Sequence, residues 1–540
     1  MGSRHGLNSA IVLVTVAGAL CFASPSANAD FIDHFATAED TGQAKVPSIG
    51  DSRILVVTIE VDGFEPLDME AIRAFFDPEP SPGQPSFTDY FTRMSLGAYR
   101  PVAQVLEPIR FEDGCPLPED YFGYRDCRIP RNGVGDNGNI NDALESLEVG
   151  INLLEEVLER VDVDLGVDFS SFDINGPDGQ PDGEIDGLLL LHNINFGGIA
   201  MPVYFLRQGG AIEIDGTKIN IVGIAETELV GLHEFGHLVG WADLYDESDQ
   251  TQGLQYSSMG AWLYETNPPA LDAFSRSVTG WIEPQVITEG QEVKDIRLRP
   301  VIDTGDVVQL GEGDEYFLLE NRGAVEGGYI DSDIDGRGLA IYHVNMRRYP
   351  DPREGNWPLR LLNCANCEPY EPMLMNEQAD GKFNLQNRFG RRNDAEDLFL
   401  PGDEFLPNTI NFLPLSKENK AFSSNRYDGA VTGVSVTNVR FDGDDILVDV
   451  RIDEPCSIIS CNRDKLCEEG RCIPDPDFVP EADPEPEAEN VEPEPAPVMA
   501  PTPTPEEGCH HVEGGQGGVL WLVFFGVFWV CLRLGRRTQA

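Results

Sequence analysis

The segment from Thr227 to Asp246 constrains the fold of this chain most, because it carries two histidines at helical spacing within an apolar run. His233 and His237 are four residues apart, so on a helix both imidazoles project from one face and can hold one zinc ion. Glu234 lies beside them, where its carboxylate can take a proton from a water on that ion. The segment therefore predicts a buried helix, capped by Thr227, that bears a hydrolytic zinc site.

Histidine is rare in this chain, which makes the pattern more specific. Eight of the 540 residues are histidine, and in such a chain this spacing is expected by chance roughly 0.01 times. The plain alternative is a core helix whose two histidines are simply hydrogen-bonded, and it is disfavoured on that count.

Other segments match a known family of secreted peptidases. Over roughly residues 50 to 450, the chain resembles zinc metallopeptidases of the immune inhibitor A type. The matching stretches are Ser95–Tyr99, 173–191, 233–246, Ser258–Gly260, Leu271–Phe274, Gly280–Trp281, Tyr316–Arg322 and Gly338–Asn345. The resemblance implies an α+β fold with a zincin-like or metzincin-like catalytic domain, in which a twisted sheet packs against the active-site helix.

The resemblance also implies the other parts of the zinc site. Asp243 stands six residues after His237, where metzincin-like peptidases carry their third ligand, and Gly240 permits the turn between them. Asp246 is the alternative ligand, or a partner that orients one. Met259 lies at the position of the Met-turn, a methionine beneath the metal. The candidate donors to the oxyanion of the reaction are Tyr256, Tyr264 and His343.

Two acidic loops are candidate calcium sites, since several members of this family bind calcium. Their side-chain oxygens are spaced like calcium ligands, although neither loop completes an EF-hand register. Solvated Asp/Gly turns are the alternative interpretation. The candidate ligands are Asp173, Asn175, Asp178, Asp182 and Asp186 in the first loop, and Asp331, Asp333 and Asp335 in the second.

Hydrophobic patterning predicts the domain organisation. Apolar runs at Arg53–Val61 and Leu188–Leu191 predict buried strands, and apolar residues at helical spacing predict a helix over 141–161. A further helical stretch is predicted near 87–96, and a hairpin that turns at Asp215-Gly216 is predicted over 211–224. Alternating β and α elements predict one catalytic domain over residues 30–290. Short apolar runs separated by Gly and Asp turns predict a β-rich extension, packed on that domain, over residues 291–453.

Residues 454–473 form a small cysteine-rich module. It contains four cysteines and offers almost no apolar core, so it needs disulfides to fold. Zinc binding is the alternative, and it is disfavoured because neither half of the module has closely spaced cysteines. The cysteines are Cys456, Cys461, Cys467 and Cys472.

Both ends of the chain predict export. Residues 1–29 resemble a secretory signal peptide, and the acidic Pro-rich stretch 474–508 is expected to be a disordered linker. Residues 509–540 contain an apolar run followed by arginines, which predicts a membrane anchor. This tail also resembles myxobacterial C-terminal sorting signals of the MYXO-CTERM type, in which Cys509 would be the site for sorting or processing machinery. We expect a protein held at the cell surface, or released after the tail is processed.

The charge of the chain excludes nucleic acid as a general partner. The 93 acidic and 38 basic residues give a net charge of −55, whereas phosphate binding needs clustered Lys and Arg. The sequence thus predicts a zinc endopeptidase of extracellular proteins or peptides, with Glu234 as general base. One alternative is a surface adhesion protein on the same scaffold, against which the intact Glu234 argues. The other is a zinc hydrolase of non-peptide substrates.

Overall fold

The computed structural model combines short helices with several β-sheets, so the fold is mixed α and β. The predicted signal segment, the linker beyond residue 478 and the C-terminal tail lie outside the residues that it describes. Within those residues, no helix is long and apolar enough to cross a membrane. The described residues are 46–111, 154–176, 178–193, 198–202, 211–244, 254, 256–260, 267–302, 304–348, 371–383, 395–410, 414 and 422–478.

The first sheet is mostly parallel, and its central strands are buried on both faces. This confirms the two strands predicted from continuous apolar runs, since side chains on both faces of such strands meet the core. In spatial order the strands are β2 (Tyr99–Val105), β1 (Gly50–Val61), β4 (Leu188–His192), β8 (Ile221–Ala225) and β5 (Gly198–Pro202), with β3 (Ile109–Phe111) also paired to β1. All of these pairs are parallel except that of β5 with β8.

Helices cover both faces of this sheet. On one face α2 (Phe87–Met94), which follows α1 (Met69–Phe75) and is expected from the sequence near 87–96, packs its aromatic rings on the helix α3 (Glu228–Val239). Phe235 of α3 lies 5.0 Å and 5.2 Å, between ring centroids, from two phenylalanines of α2. On the other face, residues 154–163 are helical and bury four apolar side chains against β1 and β4, those of Leu154, Val157, Leu158 and Val161. The rest of the helix predicted over 141–161 lies outside the described residues.

The predicted hairpin after residue 211 is present as a separate two-stranded ribbon. It consists of β6 (Ile212–Ile214) and β7 (Thr217–Ile219). Asp215 and Gly216 both adopt positive φ, at 52° and 80°, as the favoured two-residue hairpin turn requires. The chain then enters β8, which belongs to the first sheet and leads directly into α3.

A second sheet is packed between the first core and a third sheet, and the described residues from 285 to 452 are rich in β-strands. One face of its two long strands joins the core around α2 and α3, and the other face packs on the third sheet. The β-rich region starts at β9 (Gln285–Ile287), just before the boundary predicted at residue 290. The second sheet comprises β9 (Gln285–Ile287), β11 (Val308–Leu310), β12 (Glu315–Gly323), β13 (Arg337–Asn345) and β14 (Leu374–Asn376). The third sheet comprises β10 (Glu292–Leu298), β15 (Val434–Asp442) and β16 (Asp445–Ile452).

The cysteine-rich module is held by two disulfides, which confirms their prediction and excludes the zinc alternative for these cysteines. They join Cys456 to Cys467 and Cys461 to Cys472. The module contains one buried apolar side chain, Ile459, so its fold depends on these cross-links. Its elements are α5 (Pro455–Ile458), β17 (Lys465–Glu468) and β18 (Arg471–Pro474).

Candidate metal centre

Helix α3 begins and ends where the sequence predicts. The Thr227 hydroxyl accepts a hydrogen bond from the Val230 N–H, and Gly240 ends the helix with φ of 111°. The amide N–H groups of Gly240 and Trp241 both bond to the Gly236 carbonyl, which closes the last turn in the manner of a Schellman cap. The cap reverses the chain, so the residues after the helix return toward its buried face.

Two histidines of α3 and the aspartate that follows the turn converge on one point. The Asp243 Oδ1 atom lies 3.0 Å from His233 Nε2 and 3.2 Å from His237 Nε2. One ring nitrogen from each histidine and one carboxylate oxygen of Asp243 all lie within 4.8 Å of one another. Among the residues that the structure describes, no other group of three or more His, Cys, Asp or Glu side chains comes together in this way. The predicted alternative ligand, Asp246, lies outside the described residues.

The second nitrogen of each imidazole is held by a main-chain carbonyl. His233 Nδ1 donates to the Ser258 carbonyl and His237 Nδ1 to the Trp241 carbonyl, each at 2.8 Å. These bonds place the proton on Nδ1 and leave Nε2 as the atom that could bind a metal, which is how metal-binding histidines are commonly oriented. The carbonyls therefore fix both the tautomer and the direction of each ring.

The cluster is buried, with one side open to solvent. The side chains of His233 and Asp243 are 1% and 6% exposed, whereas that of His237 is 15% exposed. Solvent therefore reaches the cluster on the side of His237.

The charges within the cluster favour a bound cation. Burial by itself would lower the pKa of His237, but the Asp243 carboxylate raises it to about 10. Burial would likewise raise the pKa of Asp243, but the two histidines hold it well below its usual range. The aspartate is thus an anion that needs positive charge beside it. A zinc ion that replaces the histidine protons meets that need, and two imidazole nitrogens with one carboxylate oxygen are donors that zinc accepts.

Glu234 is a buried carboxylate next to this cluster. It is 4% exposed, and its Oε2 atom has no hydrogen-bond partner among the described residues. Burial raises its pKa to about 7, although the neighbouring histidines act in the opposite direction. A carboxylate with a pKa near neutrality can both accept and return a proton at physiological pH.

Met259 lies directly beneath the helix. It is fully buried, and a Cβ atom added at Gly236 would lie 2.5 Å from its sulfur. The Met259 carbonyl accepts a hydrogen bond from the Leu244 N–H, so the same residue supports the chain just after Asp243. Close packing on Gly236 is the geometry expected of a methionine floor under the site.

Of the three candidate oxyanion donors, the two that the structure describes are both buried. His343 lies on β13 with its Nδ1 and Nε2 atoms both 3.0 Å from carboxylates, those of Glu377 and Glu315. This corrects the expectation for His343, since neither ring nitrogen is left to serve a substrate. Tyr256 is fully buried in the core, and Tyr264 lies outside the described residues.

The first acidic loop uses its carboxylates largely within the loop itself. Asp173 accepts hydrogen bonds from the N–H groups of Asp182 and Gly183. Asp178 and Asp182 each accept one from the N–H two residues further on. Buried Asp186 accepts from the N–H groups of Arg53, Ile174 and Asn175. The contacts of Asp178 and Asp182 are those of Asx-type turns, and calcium at this loop stays a prediction.

The second acidic loop is dominated by one buried ion pair. Both Asp331 oxygens accept from the Arg322 guanidinium, at 2.8 Å and 2.7 Å. Asp333 accepts from the N–H and the side-chain amide of Asn267, and Asp335 is exposed. Arginine already neutralises the one buried aspartate of this loop, so the structure gives no support to calcium there.

Two groups at the site have no signature in the sequence. The Trp241 and Ser258 carbonyls orient the ligands through the main chain, which every residue type possesses.

No model of a known protein family matches the chain, and no curated protein matches it significantly. The chemistry of the site must therefore be inferred from its own residues.

Proposed function

We propose that this protein is a zinc endopeptidase with a metzincin-like catalytic domain, similar to peptidases of the immune inhibitor A type. The observation that supports this most is the buried cluster of His233, His237 and Asp243 beside Glu234. A merely structural pair of core histidines would not need a carboxylate oxygen at 3.0 Å and 3.2 Å from their Nε2 atoms. Nor would it explain why the neighbouring buried carboxylate, that of Glu234, has an oxygen without a hydrogen-bond partner among the described residues.

The residues divide the chemistry among themselves. His233, His237 and Asp243 would hold the ion, which when bound supplies a nucleophilic water at neutral pH and a Lewis acid for the peptide carbonyl. Glu234 accepts the proton of the attacking water at Oε2 and returns it to the departing amine. Because burial raises its pKa to about 7, Glu234 can perform both transfers near neutrality.

The substrate class and location follow from the ends of the chain. Residues 1–29 would direct export and residues 509–540 would anchor the protein or be processed at Cys509. The substrates would accordingly be extracellular proteins or peptides.

Substitution of Glu234 tests the proposal. In Glu234→Gln the amide cannot accept the proton, so we expect cleavage of a casein substrate to fall by roughly 10²–10⁴-fold. Zinc content should be unchanged, since Glu234 is not a ligand. The control is Glu228→Gln, in the first turn of the same helix, which should leave both properties unchanged. Full proteolysis by Glu234→Gln would contradict the proposal, and hydrolysis of only non-peptide substrates by the wild type would replace it.

A further inference from the structure

The short turn that supports His233 is held from two directions. This supporting turn, residues 256–260, presents the Ser258 carbonyl to His233 Nδ1 at 2.8 Å and places Met259 under α3. A hydrogen bond from the Gly260 N–H to the Ser257 carbonyl closes it. Anything that shifts this turn therefore shifts a ligand.

The first set of contacts to the supporting turn comes from Arg322 of β12, in the second sheet. Its guanidinium is completely buried and donates to the Tyr256 carbonyl at the start of the supporting turn. The same guanidinium donates to the Ala270 carbonyl at 3.2 Å and to the Tyr342 hydroxyl at 2.6 Å. A bidentate pair with Asp331 fixes its plane. One side chain thus links the turn to two strands of the extension.

The second set of contacts to the supporting turn comes from Asp272, the N-cap residue of α4 (Ala273–Val278). Its Oδ2 atom accepts from the Ser257 hydroxyl at 2.6 Å and from the Ser275 hydroxyl at 2.9 Å. The Ser257 oxygen in turn accepts from the Met259 N–H at 3.2 Å. Asp272 and Ser257 are both completely buried, so water does not compete for these bonds.

We propose that Arg322, together with the Ser257–Asp272 pair, positions the supporting turn so that the Ser258 carbonyl orients His233 for the metal. The inference rests on the proposed function, and it makes the second sheet part of the metal centre. Arg322 touches no reacting atom and acts as a positioning residue. Groups that orient a metal ligand contribute about 10-fold to 100-fold to metal affinity.

The test is a competition titration of the metal-free protein with a chromophoric zinc chelator at neutral pH. In Arg322→Lys the charge beside Asp331 remains, but one ammonium cannot serve the carboxylate and the Tyr256 carbonyl with the same geometry. We expect the zinc dissociation constant to rise roughly tenfold. The matched control is Arg337→Lys, on neighbouring β13, whose side chain pairs with Asp444 at the surface. It should leave the constant unchanged.

Ser257→Ala keeps the test decisive if Arg322→Lys does not fold. It deletes only the hydroxyl, and we expect the zinc dissociation constant to rise by a similar factor. Unfolding midpoints in urea are recorded alongside, because a purely structural role would lower them without changing the zinc affinity of the folded protein. Wild-type affinity in Ser257→Ala, and in Arg322→Lys where it folds, would overturn the inference. A wild-type protein that binds no zinc would instead refute the proposed function itself, and this inference with it.

Discussion

Substitution of Gly236 tests whether the helix α3 rests on Met259. An added Cβ would lie 2.5 Å from the Met259 sulfur and 2.9 Å from Cε3 of Trp241, where ordinary contacts are about 3.5–4.0 Å. Met259 is fully buried and Trp241 is 6% exposed, so neither can yield by moving into solvent.

Two opposing contributions set the size of the effect. Alanine in a helix interior is favoured over glycine by about 1 kcal/mol, and overpacking a core costs about 1–3 kcal/mol. Two close contacts, one of them to an aromatic ring, place the cost at the upper end. We therefore expect Gly236→Ala to lower the free energy of unfolding by about 2 kcal/mol.

The control lies in the same helix. At Gly231 the nearest atom to an added Cβ is Cδ2 of Leu191 at 3.2 Å, followed by two atoms at 3.9 Å. Gly231→Ala should thus be neutral or up to about 1 kcal/mol more stable. Combining Gly236→Ala with Met259→Ala should cost less than the sum of the two changes, by about 1 kcal/mol, because the clash with sulfur disappears.

Equilibrium unfolding of the metal-free variants in urea measures these differences from the midpoints and slopes. The reasoning is refuted if Gly236→Ala is as stable as Gly231→Ala. Strict additivity with Met259→Ala would also contradict the packing of Met259 under Gly236.

Two further predictions concern the extension and the module. Burial would lower the pKa of His343, but Glu315 and Glu377 raise it to about 9. The protonated imidazole therefore stabilises the fold by about 3 kcal/mol at and below its ordinary pKa of 6.5. This stabilisation is lost as the pH rises through 9. His343→Gln should remove that pH dependence from urea unfolding. It should also lower the free energy of unfolding by about 3–5 kcal/mol at pH 6, because two buried carboxylates lose their cation. An unaltered pH dependence would contradict this. Replacing Cys461 and Cys472 by Ser removes a cross-link with a sequence separation of 11, worth about 3 kcal/mol. Hydrogen exchange should then become fast within 455–474 while zinc affinity stays unchanged, and continued protection there would argue against the dependence on disulfides.

Local spacing predicted those parts of the fold that depend on neighbouring residues. The limits of α3 followed from Thr227 and Gly240, because a cap needs only the residues within one turn of it. The buried strands followed from continuous apolar runs, and the hairpin followed from Asp215-Gly216. Each signal lies within a dozen residues of the structure that it predicts.

Contacts between distant residues were not readable in the same way. Arg322 is separated from the Tyr256 carbonyl by 66 positions, and neither a period nor a spacing marks that pair. His343 lies within a stretch that carries the family resemblance, yet its partners Glu315 and Glu377 come from 28 and 34 positions away. It was therefore named as one of three candidate oxyanion donors, and it proved to be part of a buried charge cluster. The acidic loops are a third case, since carboxylates that cap turns have the same local pattern as calcium ligands.

The central claim is that His233, His237 and Asp243 together hold zinc, and the zinc content of purified variants tests it most directly. After equilibration with zinc and removal of excess metal, we expect about one ion per chain in the wild type and in Asp246→Ala. Asp243→Ala should retain almost none, because the anion facing both histidine Nε2 atoms is lost. A full complement of zinc in Asp243→Ala would contradict the account.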